Sequence, residues 1–249
     1  DELEQDDAVA RISVAAARGE MDAQFSVGLE KAEIGEAGAV GEQHSRGDRA
    51  PARVARQRGV IGETGDVAII GERAREEVGD GAVEIEAMLR AELGAERTIW
   101  LPYGLALDDD TDGHVDNIAA FAAPGRLVLQ GCDDPDEDDW LRLDVDRRVA
   151  QGAVDARGRA IDVVTVPVLP FAEIDRGEGT ERVAVPYLNY YLGNGFVLVP
   201  TCGHPADADM VVLIAEQYPG REAIALEVGA ILAGGGGGIH CITQQQPAV

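Results

Sequence analysis

Gly234-Gly235-Gly236-Gly237-Gly238-Ile239-His240-Cys241-Ile242-Thr243-Gln244-Gln245-Gln246-Pro247 sets five glycines in front of one cysteine. A backbone without Cβ atoms can approach a ligand closely and take positive φ, so the run reads as a floor on which a small planar group lies beside sulfur. The plain alternative is a flexible tail in which the cysteine is one more small hydrophobe. A second stretch, Asp108-Asp109-Asp110-Thr111-Asp112-Gly113-His114-Val115-Asp116-Asn117, bears on the choice. Its own plain reading is a solvated turn, since Asp, Gly and Asn are turn residues. In an extended segment, positions i and i+2 point the same way, which would turn His114 and Asp116 toward one pocket. One cysteine plus a distant His-x-Asp supplies a nucleophile, a proton carrier and an orienting carboxylate, the minimum for covalent thiol chemistry.

Read as whole strings, these stretches become specific. Together with Trp100-Leu101-Pro102-Tyr103-Gly104, and Tyr187-Leu188-Asn189-Tyr190-Tyr191 with Asn194-Gly195, they resemble the agmatine deiminases among the guanidine-modifying enzymes, from about Val83 onward. The resemblance implies an α/β fold, a pentein-type five-bladed propeller of which this chain holds the C-terminal blades only. It divides the chain into residues 1–82, an unassigned segment, and residues 83–249, the deiminase-like region. The implied enzyme is a hydrolase acting on C–N bonds of linear amidines, converting agmatine to N-carbamoylputrescine and ammonia. In it Cys241 attacks the guanidinium carbon, His114 carries protons, and Asp116 pairs with the cation. Asp116, Asp110, Gly237 and Gly238 form the implied substrate-binding set, with no cofactor and no metal. The partner is a small cationic guanidino compound.

The family also carries an Arg-Asp-x-Gly-Pro and a Glu-Gly-Gly-Ser stretch, each bringing a further carboxylate to the guanidinium. Residues 1–82 contain neither, and Gly62-Glu63-Thr64-Gly65 is no match. Turnover by this chain is therefore expected to be impaired. The alternative is a truncated or chimeric pentein fragment that binds small cations without catalysis, and a third reading is a metal site built from His114, Asp116 and His240.

Composition narrows the partners. A formal net charge of −25 disfavours phosphate backbones and anionic membrane surfaces, which call for clustered Lys and Arg, and it attracts cations. No apolar run approaches the roughly 20 residues needed to span a bilayer. The acidic start Asp1-Glu2-Leu3-Glu4-Gln5-Asp6-Asp7 is the opposite of a signal-peptide n-region. Cys132, Cys202 and Cys241 lack zinc-ligand spacing and suit a reducing compartment, so a cytoplasmic protein is expected. The oligomeric state stays open, a homo-oligomer being one arrangement. With aromatics at only 4%, the core must rest on Val, Ile, Leu and Ala.

Along the chain, residues 1–82 show no sustained period, although Val67-Ala68-Ile69-Ile70 could be a strand. A helix is predicted over 84–93, then strands over 97–101, 126–130 and 160–167. The acidic run 133–139 is predicted to cap a helix whose Trp140, Leu141, Leu143 and Val145 face inward. A polar loop is expected over 173–182, strands over 186–191 and 195–200, a helix over 206–218 and a last strand over 223–227. The order strand, strand, helix, strand recurs, as in a repeated blade. His240, beside Cys241 in an extended segment, is expected to point away from the pocket and into the core.

Overall fold

The computed structural model describes residues 11–13, 26–28, 67–71, 82–108, 113–177 and 179–243. The chain divides into two compact units, Asp1–Gly47 and Asp48–Val249. The first contains an antiparallel pair, β1 (Arg11–Ser13) and β2 (Ser26–Gly28). All else described here belongs to the second.

There, β3 (Val67–Gly71) and β4 (Arg97–Leu101) lie parallel, in register from Val67 opposite Arg97 to Gly71 opposite Leu101. Parallel neighbours need a crossover, and α1 (Ala82–Leu93) supplies it. Its Ile85 and Leu89, one turn apart, are buried. The helix ends at Gly94 (φ 71°), where Gly94 N–H bonds to Arg90 O and Ala95 N–H to Leu89 O. Glycine is favoured at this left-handed C-terminal position because it has no Cβ to clash. β3 lies upstream of the division expected at residue 82.

The next unit is complete. β5 (Ala119–Ala123) turns through Pro124-Gly125 into antiparallel β6 (Arg126–Gln130), α2 (Asp138–Gly152) crosses over, and β7 (Asp162–Val166) runs parallel to β6. A hairpin follows, β8 (Phe171–Asp175) with β9 (Thr180–Ala184). The hairpin–crossover–strand unit then recurs as β10 (Tyr191–Gly193), β11 (Phe196–Pro200), α3 (Asp207–Gln217) and β12 (Glu222–Leu226). The α/β class and the repeated unit are thus those expected. β6 is a wall shared by two cores, because successive strand residues face opposite ways. Leu127 and Leu129 enter a cluster with Ile99, Leu101, Ile118 and Leu143, while Val128 enters another with Tyr187, Val197, Val199 and Ile214.

Three local expectations are corrected, and the first is the strand expected over 186–191: residues 187–189 turn, and the strand β10 begins only at Tyr191. Residues 171–184 form the β8–β9 hairpin instead of a polar loop, with Phe171 opposite Ala184 and Asp175 opposite Thr180. Of the β9 residues only Val183 is buried, so the hairpin lacks the apolar alternation that marks strands in sequence. On α2, Trp140 and Leu141 are 44% and 58% exposed, and the buried stripe is Asp139, Leu143, Asp146 and Ala150. That stripe has helical spacing but contains two acids, so hydrophobicity alone gives the wrong phase. The acids hold the loop after β4: Asp139 Oδ1 accepts from Ala106 N–H at 2.8 Å and Asp146 Oδ1 from Tyr103 N–H at 3.0 Å. Arg142 Nε donates to Gly104 O at 3.2 Å.

Candidate active site

That anchored loop leads into the first half of the site. A Cβ on Gly104 would run into the backbone of Gly113, which itself sits at φ 76°, so the two glycines pass back to back and deliver the chain to His114. Val115–Asn117 is a 3-10 turn, not an extended segment. Its Val115 and Asn117 are buried, and His114 Nδ1 stands 4.0 Å from Asp116 Oδ1. The two side chains do meet, for a different geometric reason than i, i+2 alternation.

The second half comes from the glycine run. α4 (Gly229–Ala233) ends at Gly234, the chain reverses through Gly236 at φ 82°, and His240–Ile242 forms another 3-10 turn. A Cβ on Gly237 would lie 2.9 Å from Cys241 Cβ and 3.0 Å from its Sγ. A Cβ on Gly238 would lie 2.5 Å from Asn189 Cγ. Gly237 and Gly238 therefore permit close approach to the chain's own Cys241 and Asn189. Because the segment turns, His240 does not point away from the pocket as expected: its Nδ1 lies 2.7 Å from Asp116 Oδ2.

His114, Asp116 and Cys241 each offer a ligand atom within 4.8 Å of the others. Cys241 Sγ is 3.4 Å from Asp116 Oδ2 and 3.1 Å from Asn189 Nδ2. Asp116 Oδ1 is buried without a hydrogen-bond partner. Asp110 lies outside the described residues. Beside the cluster is a cavity lined by Leu105, Asp108, Asn117, Glu181, Pro186 and Gly237.

The electrostatics are coupled. Burial acts to raise the Asp116 carboxyl, but the His240 hydrogen bond and the His240 and His114 charges outweigh it and hold the group below its usual range. Cys241 goes the other way: burial and then the Asp116 charge push its thiol up to about 11, against hydrogen bonds from Gly238 and Asn189. The residue as a whole is solvent-accessible, while its sulfur sits against the Asp116 carboxylate.

Sequence reasoning missed three supporting groups. Asn189 is fully buried, its Nδ2 donates to Asn117 Oδ1 at 2.7 Å, and Asn117 Nδ2 donates to Asp108 Oδ2 at 2.9 Å. All three stand in the strings quoted above, but nothing in an amide's residue type announces such a role.

Solved structures share this fold. An agmatine deiminase of Enterococcus faecalis superposes with a TM-score of 0.64 at 25% identity, covering 73% of this chain and 54% of that one. One from C. jejuni gives 0.61 at 19%, covering 72% and 51%, a likeness of fold. The fold is thus that of the pentein deiminases. The family model for Porphyromonas-type peptidyl-arginine deiminases matches residues 73–247, and the chain belongs to that family. Similar curated proteins include agmatine deiminases of Pseudomonas fluorescens, 36% identical over 179 residues, and of Stutzerimonas stutzeri, 37% over 179. Each alignment covers 66% of this chain and 48% of the relative, so the chain spans about half the length of the curated relatives it matches.

Proposed function

We propose that Cys241, His114 and Asp116 form a guanidine-deiminating site with agmatine as its substrate. The observation that carries this reading is Asp116. One carboxylate oxygen lies 3.4 Å from Cys241 Sγ, and the other is buried without a hydrogen-bond partner. A guanidinium placed there would satisfy that oxygen by a charge-assisted hydrogen bond and bring its central carbon to the sulfur. It would also offset the negative charge that holds the thiol up, so the thiolate forms when substrate binds.

The thiolate then adds to the guanidinium carbon, and His114 protonates the departing nitrogen, which leaves as ammonia. A thiouronium stays on sulfur. His114 takes a proton from water, the hydroxide adds to the same carbon, and cleavage of the C–S bond releases N-carbamoylputrescine and Cys241.

Residues 83–249 as the deiminase-like region, with blades of an incomplete five-bladed propeller, belong to the same proposal. So do a cytoplasmic location and weak turnover by this 249-residue chain. Within the cluster Asp116 is the only carboxylate facing the sulfur among the described residues, and loss of one charged contact in a dry site typically costs about two to three orders of magnitude in rate. Ammonia release from agmatine, compared with Cys241→Ala, tests the activity. Slow release that depends on Cys241 is expected, and release undiminished in Cys241→Ala would overturn it. Calorimetric binding of agmatine without ammonia release would favour the cation-binding alternative.

A further inference from the structure

Asn189 sits between Leu188 and Tyr190, both buried, and is itself 0% exposed. Its carboxamide has every polar site engaged. Nδ2 donates to Asn117 Oδ1 and to Cys241 Sγ, while Oδ1 accepts from His240 N–H at 2.9 Å and Cys241 N–H at 3.3 Å. The direction of this network is fixed by its ends. A carboxylate oxygen of Asp108 only accepts, so Asn117 must present Nδ2 to it and therefore Oδ1 to Asn189. The backbone amides of His240 and Cys241 only donate, so they require Asn189 Oδ1. Both constraints turn Asn189 Nδ2 toward the sulfur, and neither amide can flip without breaking a bond elsewhere. Asp108 Oδ2 also accepts from His114 N–H at 3.2 Å, so one carboxylate ties the backbone beside the imidazole to the amides that face the thiol.

We infer that Asn189 is a positioning residue for Cys241: through the Asp108–Asn117–Asn189 relay it fixes the 3-10 turn that carries the sulfur and aims a hydrogen-bond donor at the thiolate. It opposes the Asp116 carboxylate, which faces the same sulfur and favours the thiol. A Cβ at Gly238 would occupy the space of the Asn189 side chain, so the glycine is part of the same device. The inference rests on the deiminase reading only for its value to catalysis, because what it concerns is how Asn189 holds the Cys241 turn and which atom it presents to the sulfur.

The test is iodoacetamide alkylation of the full chain against pH, with mass mapping of Cys241 and with Cys132 and Cys202 as references in the same molecule. Asn189→Asp keeps the side chain's shape but replaces the donor with an acceptor, which Asn117 Oδ1 cannot satisfy and to which Cys241 can donate only as the thiol, not as the thiolate. Cys241 is expected to react about tenfold more slowly, or slower still, at any fixed pH below its midpoint, with Cys132 and Cys202 unchanged. An unchanged Cys241 profile in the folded variant overturns the inference.

If the variant loses its fold, so that all three thiols react at one rate, the unsubstituted chain decides. Its Asn189 side-chain carbonyl carbon resonance should follow the Cys241 titration and lose that response in Cys241→Ala. A flat resonance overturns the inference. A displaced alkylation profile without ammonia release defeats only the deiminase reading, while Cys241-dependent release with an undisplaced profile defeats only this one.

Discussion

Replacing Gly238 by alanine puts the packing of the site to a direct test. The added methyl would stand 2.5 Å from Asn189 Cγ and 2.6 Å from its Cβ, whereas ordinary contact begins at 3.4 Å. Something must therefore move by roughly 1 Å. Asn189 cannot yield cheaply, since it is fully buried and held on both sides by the relay. Overpacking of this kind costs about 1–3 kcal/mol, and each broken internal hydrogen bond about 1 kcal/mol more. With two bonds lost, about 3–5 kcal/mol is expected, a large share of the 5–15 kcal/mol typical of a domain. In a thermal scan this corresponds to a fall in Tm of roughly 6–20 °C. Gly152, the last residue of α2, is the control: nothing lies within 4 Å of its added Cβ. Gly152→Ala should be neutral or stabilising by up to about 1 kcal/mol, as for glycine in a helix. A Gly238→Ala chain as stable as Gly152→Ala would refute the packing argument.

Further outcomes follow from charge and burial. The Cys241 thiol is raised in the fold from 9.0 to about 11, so its contribution to stability is fully present below pH 9 and is lost as pH rises through 11. Denaturation midpoints of the ligand-free chain should fall across that window, and less so in Cys241→Ser. Asp116 is depressed, so its contribution is present above the ordinary carboxyl range and lost as pH falls through the lowered value; acid unfolding of Asp116→Asn should lack that component. Asp139→Ala strands the Ala106 N–H and should lower the unfolding free energy by about 1–3 kcal/mol in urea titrations. Limited proteolysis tests the proposed region boundary. A stable fragment starting near residue 80 supports it, and one that persists only with residues 67–71 shows that the β3–β4 pairing is needed.

What could be read from residue order was local or motif-borne. The repeated strand–strand–helix–strand order follows from short β-branched runs, from turns such as Pro124-Gly125 and Asn194-Gly195, and from the spacing between them. The strings around His114 and Cys241 marked two distant segments, and the fold brings His114, Asp116 and Cys241 within 4.8 Å of one another. The tertiary structure decided what depends on side-chain direction. Two 3-10 turns, not extended backbone, set where His114, Asp116, His240 and Cys241 point, and so His240 meets Asp116. The buried acids of α2 reverse the phase that hydrophobicity suggests, because a loop elsewhere in the chain needs its amides satisfied. Asn189 is the fullest case. Its type and neighbours describe a residue near a turn, and its function as a clamp exists only once Asn117, 72 positions away, and Cys241, 52 away, are folded against it. Sequence patterns record periodicity along a chain, whereas the satisfaction of buried polar groups is a property of which chain segments meet.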